Sequence, residues 1–183
     1  MSNDSLVAAL EPMIPGLRRY MRSMVRDPEL ADDLVQDCLE RAILNWGTRK
    51  TVENTRQWVF AIAHNLAVNK LKQNNRRGVH VALEDLQEAE PSVSATQESR
   101  VQYGELMRAL AILPEEQRSV LLMVSVEDMS YADVAQALEI PIGTVMSRLS
   151  RGRERLERAL AGELPSTRSA STVPPVPHLR RMK

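Results

Sequence analysis

The chain has 183 residues, of which 24 are basic and 24 acidic, so its formal charge is zero and strong non-specific attraction to a polyanion is excluded. An apolar share of 43% supports a packed core, whereas 3% aromatics and only 7 glycines argue against a turn-rich all-β protein. The single cysteine, Cys38, excludes an internal disulfide and suggests a reducing compartment.

No apolar run is long enough to span a bilayer, and MSNDSLVAAL lacks the basic region and apolar core of a secretion signal. A cytoplasmic protein without membrane insertion is expected. Long runs of Ala, Leu, Val, Glu and Arg predict helix throughout.

In chain order, helical periodicity starts near Met13 and runs to Trp46, with a break around Arg26–Pro28. WGTRKTVENT has no helical stripe and reads as a loop. Asn54 with Gln57 can cap a further helix extending towards Asn75. RRGVHVALEDLQEAEPSVSATQESR is acidic, contains Pro and Ser, and has little periodicity, so it reads as an extended tether. Helix resumes at about Val101, and Pro114 opens the next one, PEEQRSVLLMVSVED, where its missing N–H costs nothing. After Glu163 a Pro/Ser/Thr tail is expected to be disordered. The predicted fold is all-α: two small helical domains joined by an acidic flexible linker. Their expected boundaries are 1–78 and 101–163, with the linker at 79–100 and the tail at 164–183.

Neutrality conceals a local division of charge. Residues 1–78 carry 12 basic and 9 acidic residues, whereas residues 79–103 carry 1 and 5. Within the otherwise acidic segment 104–163, Thr144–Arg158 holds five arginines against two glutamates.

Those arginines fall in YADVAQALEIPIGTVMSRLSRGRERL, which reads as two helices around a turn containing Pro141 and Gly143. Tyr131, Val134, Ala135 and Leu138 recur at helical spacing and bury one face of the first helix. In the second, Val145, Leu149, Gly152 and Leu156 must pack inward. Met146, Ser147, Ser150, Arg151 and Glu154 then point outward, flanked by Arg148, Arg153 and Arg155. In a helix–turn–helix, outward residues near the start of the second helix reach base edges in the major groove. Arginine reads guanine through two parallel hydrogen bonds, while flanking arginines grip phosphates.

Here LPEEQRSVLLM followed by SYADVAQALEIPIGTVMSRLSRGRERL resembles region 4 of the bacterial sigma factors, in the extracytoplasmic-function (ECF) group. The resemblance implies recognition of a −35 promoter element, with Thr144, Met146, Ser147, Arg148, Ser150, Arg151 and Arg155 as the DNA-contacting candidates.

A second stretch is read independently. In DPELADDLVQDCLERAILNW, Ala31, Leu34, Val35, Cys38, Ala42 and Trp46 share a helical face, which makes Cys38 a core residue. Glu29, Asp33, Gln36, Asp37 and Glu40 lie opposite. An acidic face is ordinarily just a solvated one. ADDLVQDCL nevertheless resembles sigma region 2.2, which implies that Asp33, Gln36, Asp37 and Glu40 dock on the β′ clamp helices of core RNA polymerase.

TRQWVFAIAHNLAVNKLKQNNRR resembles regions 2.3 and 2.4, which bind and open the −10 element. Trp58, Ile62 and Leu66 are read as its packing edge. Asn65, Asn69, Lys72 and Arg76 form a polar stripe at spacings i, i+4, i+7 and i+11, with Lys70 and Arg77 alongside. Amides followed by cations suit a strand whose bases are read singly and whose phosphates are gripped. The sequence departs from the family at Asn69, where an aspartate is usual, and in a thinner basic cluster. The loop Gly47–Thr55, which in the family captures a flipped-out base, also diverges.

The resemblance implies as partners core RNA polymerase (at the β′ clamp helices and the β flap), promoter DNA and an anti-sigma factor, with the free protein a monomer. The rival reading is a free-standing helix–turn–helix regulator that binds duplex DNA without polymerase. An adaptor that binds polymerase without opening DNA is a further alternative. No catalytic group, metal site or cofactor is expected: there is no phosphate-binding Gly-Lys-Ser/Thr loop and no zinc spacing among three histidines and one cysteine.

Overall fold

The computed structural model describes residues 3–48, 55–76 and 97–163, and every element among them is helical. The first half contains α1 (Asn3–Leu10), a 3-10 turn at Glu11–Met13, α2 (Ile14–Val25), α3 (Pro28–Leu44), a 3-10 turn at Trp46–Thr48 and α4 (Thr55–Arg76). The second contains α5 (Gln97–Ile112), α6 (Glu115–Ser125), α7 (Tyr131–Ala137) and α8 (Ile142–Leu160). Asn54, the tether residues before Gln97 and the tail after Glu163 lie outside the described residues, as does Arg77.

The break between α2 and α3 has a clear local cause. Arg26 adopts a left-handed backbone (φ 65°), and Asp27 then caps α3 by accepting from the Leu30 N–H at 3.0 Å. Pro28 fits the first helical position because no partner awaits its missing N–H.

Other boundaries differ from the sequence-based expectation. α1 precedes the predicted start, because NDSLVAAL is helical without a clear apolar stripe. α5 begins at Gln97, inside the expected linker. Pro114 is the N-cap of α6, not its first residue, and α6 stops at Ser125. Gly143 lies within the first turn of α8, and the left-handed position in the helix–turn–helix is Glu139 (φ 53°).

α2, α3 and α4 pack around Leu17, Tyr20, Met21, Met24, Cys38, Val59, Phe60 and Ala63, all buried. The Tyr20 and Phe60 rings meet edge to face at 5.7 Å, and Trp46 meets Trp58 at 6.4 Å. The deep face of α4 is Val59, Phe60, Ala63 and Ala67; of the expected packing edge, Leu66 is buried while Trp58 and Ile62 are half-buried. Cys38 donates to the Val59 carbonyl at 3.6 Å, and burial pushes its thiol up to about 12, so it is a core residue as expected.

In the second half, α5, α6 and α7 enclose the inner face of α8 through Met107, Leu110, Leu122, Met123, Val134, Val145 and Leu149. Gly152 faces α6 so closely that a Cβ would sit 3.3 Å from the Gln117 carbonyl oxygen. The two units pack against each other. α2 packs on α5 and α6, α4 packs on α7, and the buried residues of both halves form one continuous core.

Candidate functional site

The helix–turn–helix is assembled from local chemistry. Ser130 closes a reciprocal capping box on α7: its Oγ accepts from the Asp133 N–H at 3.1 Å, and its own N–H donates to Asp133 Oδ2 at 3.3 Å. The Ser-x-x-Asp spacing carries that signal in the sequence. The chain then reverses through Glu139, Ile140 returns a hydrogen bond to the Ala135 carbonyl at 3.0 Å, and Pro141 starts α8.

The structure leaves the outward face of α8 free. Met146 is 50% exposed, and Ser147, Ser150, Arg151 and Arg155 are exposed beside a half-buried Thr144. Arg151 is held against its own helix, donating from Nε to the Ser147 carbonyl at 3.1 Å and from Nη2 to Ser147 Oγ at 3.3 Å. Those bonds aim the guanidinium while leaving it accessible. Arg148 differs from its neighbours: its Nη2 pairs with Glu116 Oε2 on α6 at 2.8 Å. In this conformation it braces α8 against α6, a partnership that sequence spacing could not disclose.

The second cluster lies between α3 and α4. A groove of about 790 Å³ is bounded on the α3 side by Leu30, Asp33, Leu34, Gln36 and Asp37. Across it stand Leu66, Asn69, Lys70, Lys72, Gln73 and Arg76 of α4. Two candidate sets, assigned separately to protein docking and to DNA reading, thus form opposite walls of one cleft. The acidic wall and the cationic wall make no salt bridge across it among the described residues. Gln73 belongs to the groove but was missed, because it falls off the i, i+4, i+7, i+11 stripe. Glu40 lies beyond the lining, accepting from Gln36 Nε2 at 3.1 Å, and Asn65 is exposed on α4 outside the groove.

Beneath α4, His64 Nδ1 shares a 3.0 Å hydrogen bond with the buried Tyr20 hydroxyl. Burial first, and then the charges of Arg148 and Lys72, pull the His64 imidazole down to about 4. His64 is therefore neutral and structural. No cluster of His, Cys, Asp or Glu suited to a metal ion occurs among the described residues.

The described residues are all helical and present an exposed helix–turn–helix beside a second polar groove, an arrangement suited to binding DNA. Comparison with known proteins makes this specific. A model described as sigma-70, region 4 matches residues 103–156, and the sigma2 domain of PhyR matches residues 10–64. The ECF RNA polymerase sigma factor EcfG of Rhodopseudomonas palustris is 30% identical over 163 residues, covering 86% of each chain. The RNA polymerase sigma-H factor of Pseudomonas aeruginosa is 28% identical, covering 86% of this chain and 85% of that one. Among solved structures, the sigma factor RpoE in complex with the anti-sigma factor NepR from Bartonella quintana superposes with a TM-score of 0.68 at 26% identity. That match covers 83% of this chain and 94% of the other. The chain belongs to the extracytoplasmic-function group of the sigma-70 family.

Proposed function

We propose that this protein joins core RNA polymerase and directs promoter-specific initiation, reading a −35 element with α8 and a −10 element with α4. The observation that carries the reading is the ordered pair of matches on one chain, the second containing the exposed face of α8 and the first the α3 wall of the groove. Relatives similar along 86% of the chain are sigma factors, which favours initiation over a free-standing regulator. Residues 1–78 form the −10 and polymerase-docking unit, 79–100 the linker, 101–163 the −35 unit and 164–183 the tail. The chain supplies recognition and no catalytic group, and it works where the polymerase does, in the cytoplasm.

Within this reading Met146, Ser147, Ser150 and Arg151 face base edges. Thr144, Arg148 and Arg155 steady the helix on the phosphates, Arg148 after leaving Glu116. Asn65 and Asn69 meet single bases, and Lys70, Lys72, Arg76 and Arg77 hold the strand beyond them. Asp33, Gln36, Asp37 and Glu40 offer carboxylates and an amide to arginines of the β′ clamp helices, with the β flap meeting the second half. By analogy with RpoE and its partner NepR, an anti-sigma factor controls the free protein, which is a monomer. Two weak readers joined through the polymerase gain affinity by effective concentration, so the chain needs no net positive charge.

The test is transcription in vitro with purified core over a genomic promoter library, sequencing the 5′ ends. Transcripts that require the added chain and share two upstream motifs at fixed spacing are expected. Tight, polymerase-independent binding to duplex DNA with no transcripts would instead establish the free-standing regulator.

A further inference from the structure

The leading end of α8 carries no charge. From Ile142 to Ser147 there is neither a basic nor an acidic side chain, and the first cation of the helix is Arg148. That guanidinium is occupied, paired with Glu116 at 2.8 Å. What this end of the helix shows to solvent is apolar: Ile142 is 47% exposed and Met146 is 50% exposed. The two stand at i and i+4, so they are neighbours on one side of the helix, with Cβ atoms about 5–6 Å apart. Neither belongs to the core, which takes Val145 and Leu149 from the same stretch.

Gly143 beside them leaves the surface open. A Cβ there would meet nothing within 4 Å, and bare backbone lets another surface come close. The hydrogen-bonding capacity nearby is largely taken up. Ser147 donates its hydroxyl to the Thr144 carbonyl at 3.1 Å and accepts from Arg151 Nη2 at 3.3 Å. One acceptor lone pair of that hydroxyl is left for a base. Donation to base edges then falls to Ser150 and Arg151, a turn or more further along.

Base edges in the major groove carry one apolar group, the C5-methyl of thymine, which apolar side chains recognise by contact. Phosphates and the polar edges of the bases have nothing to bond on an isoleucine or a methionine. We infer that Ile142 and Met146 form a methyl-reading patch, which selects thymines at two positions of the −35 element while Arg151 reads guanine. Along the helix axis the two side chains are four residues apart, about 6 Å at 1.5 Å per residue. Base pairs stack about 3.4 Å apart, so the selected thymines lie within about two base pairs of each other. Either strand can supply them, because the methyls of both open into the same groove.

The inference rests on α8 as the −35 reader and adds the chemistry that this reader recognises. Uracil is thymine without the C5-methyl, so replacing one by the other isolates the contact. Promoters recovered from the library transcription are given single thymine-to-uracil replacements through the −35 element, on each strand in turn. Transcript yield is then measured with subsaturating holoenzyme made from the full chain. Two positions within about two base pairs should each lose about four-fold, the scale of one buried methyl. Ile142→Ala and Met146→Ala should each abolish the thymine–uracil difference at one of those positions and keep it at the other. Arg151→Ala should lower yield on all templates and leave both differences in place. Both alanines replace exposed side chains within a helix, so folding does not confound these variants.

Equal yields from thymine and uracil templates throughout, or a −35 element without thymine on either strand, would overturn the patch and leave the promoter reading standing. Differences that persist in both alanine variants would put the methyl contact elsewhere on the protein. If those variants instead lost core binding in a pull-down, the pair would be a polymerase contact, and the inference would fall. Absence of transcripts would sink the promoter reading alone. The same replacements in the duplex sites bound by the free chain would then decide the patch.

Discussion

Arg151 and Arg148 show how residues of one type, three positions apart, acquire different work. Arg151 is exposed and tethered only to Ser147, one turn back on its own helix, which leaves it ready for a guanine. Arg151→Ala should weaken discrimination of the −35 element by about ten- to a hundred-fold, the range of one bidentate contact. Polymerase binding should stay unchanged, as a pull-down with core would register. The outward set was legible in the sequence because helical spacing fixes which positions share a face. The Glu116 partner of Arg148 was not, since pairing between helices depends on how they cross.

His64 was equally unreadable as a structural residue, for its hydrogen bond to Tyr20 spans 44 positions. Its imidazole falls from the ordinary 6.5 to about 4 on folding. Between those values the unfolded chain binds a proton that the folded chain refuses, so stability declines as pH drops from 6.5 towards 4. The loss is up to about 3 kcal/mol. Denaturant melts of His64→Gln against the parent across this window should show a flatter acid limb in the variant.

Among the elements, helices were legible wherever a stripe and a capping signal coincided, as at Asp27-Pro28 and in α8. Turns were harder. Among the described residues Arg26, Asp128 and Glu139 take left-handed backbone conformations, and none carries the glycine that would have announced it. Gly143 drew attention in their place and proved helical. The turn of the helix–turn–helix therefore retains removable strain. Glu139→Gly should stabilise the protein by about 1 kcal/mol, because glycine takes this conformation without steric cost. Chemical denaturation measures the gain, and −35 recognition should be unaltered because Glu139 precedes the reading face.

For the whole molecule, the sequence disclosed two helical units and their order but not that they share a core. Glu127 stands in VSVEDMS, where a lone acid looks like any solvated one, and Gly16 looks like a casual gap in an apolar stripe. Burial of that carboxylate depends on arginines 71 and 108 positions away, beyond the reach of any periodicity. Because one core runs through both halves, unfolding of the free protein should be a single cooperative transition, with far-ultraviolet and tryptophan signals superimposing. Two resolved transitions would show that the halves melt independently.

The ion pairs of Glu127 with Arg19 and Arg56 set an order of events at the ribosome. At roughly 5–20 residues per second, α2 emerges several seconds before Glu127 is made. During that interval Arg19 and Gly16 face solvent without their acidic partner, and the apolar surface that α6 will cover is bare. A nascent chain stalled before residue 127 would thus be the form of this protein most exposed to chaperones and to its own neighbours, and completing α6 would be the step that ends its vulnerability.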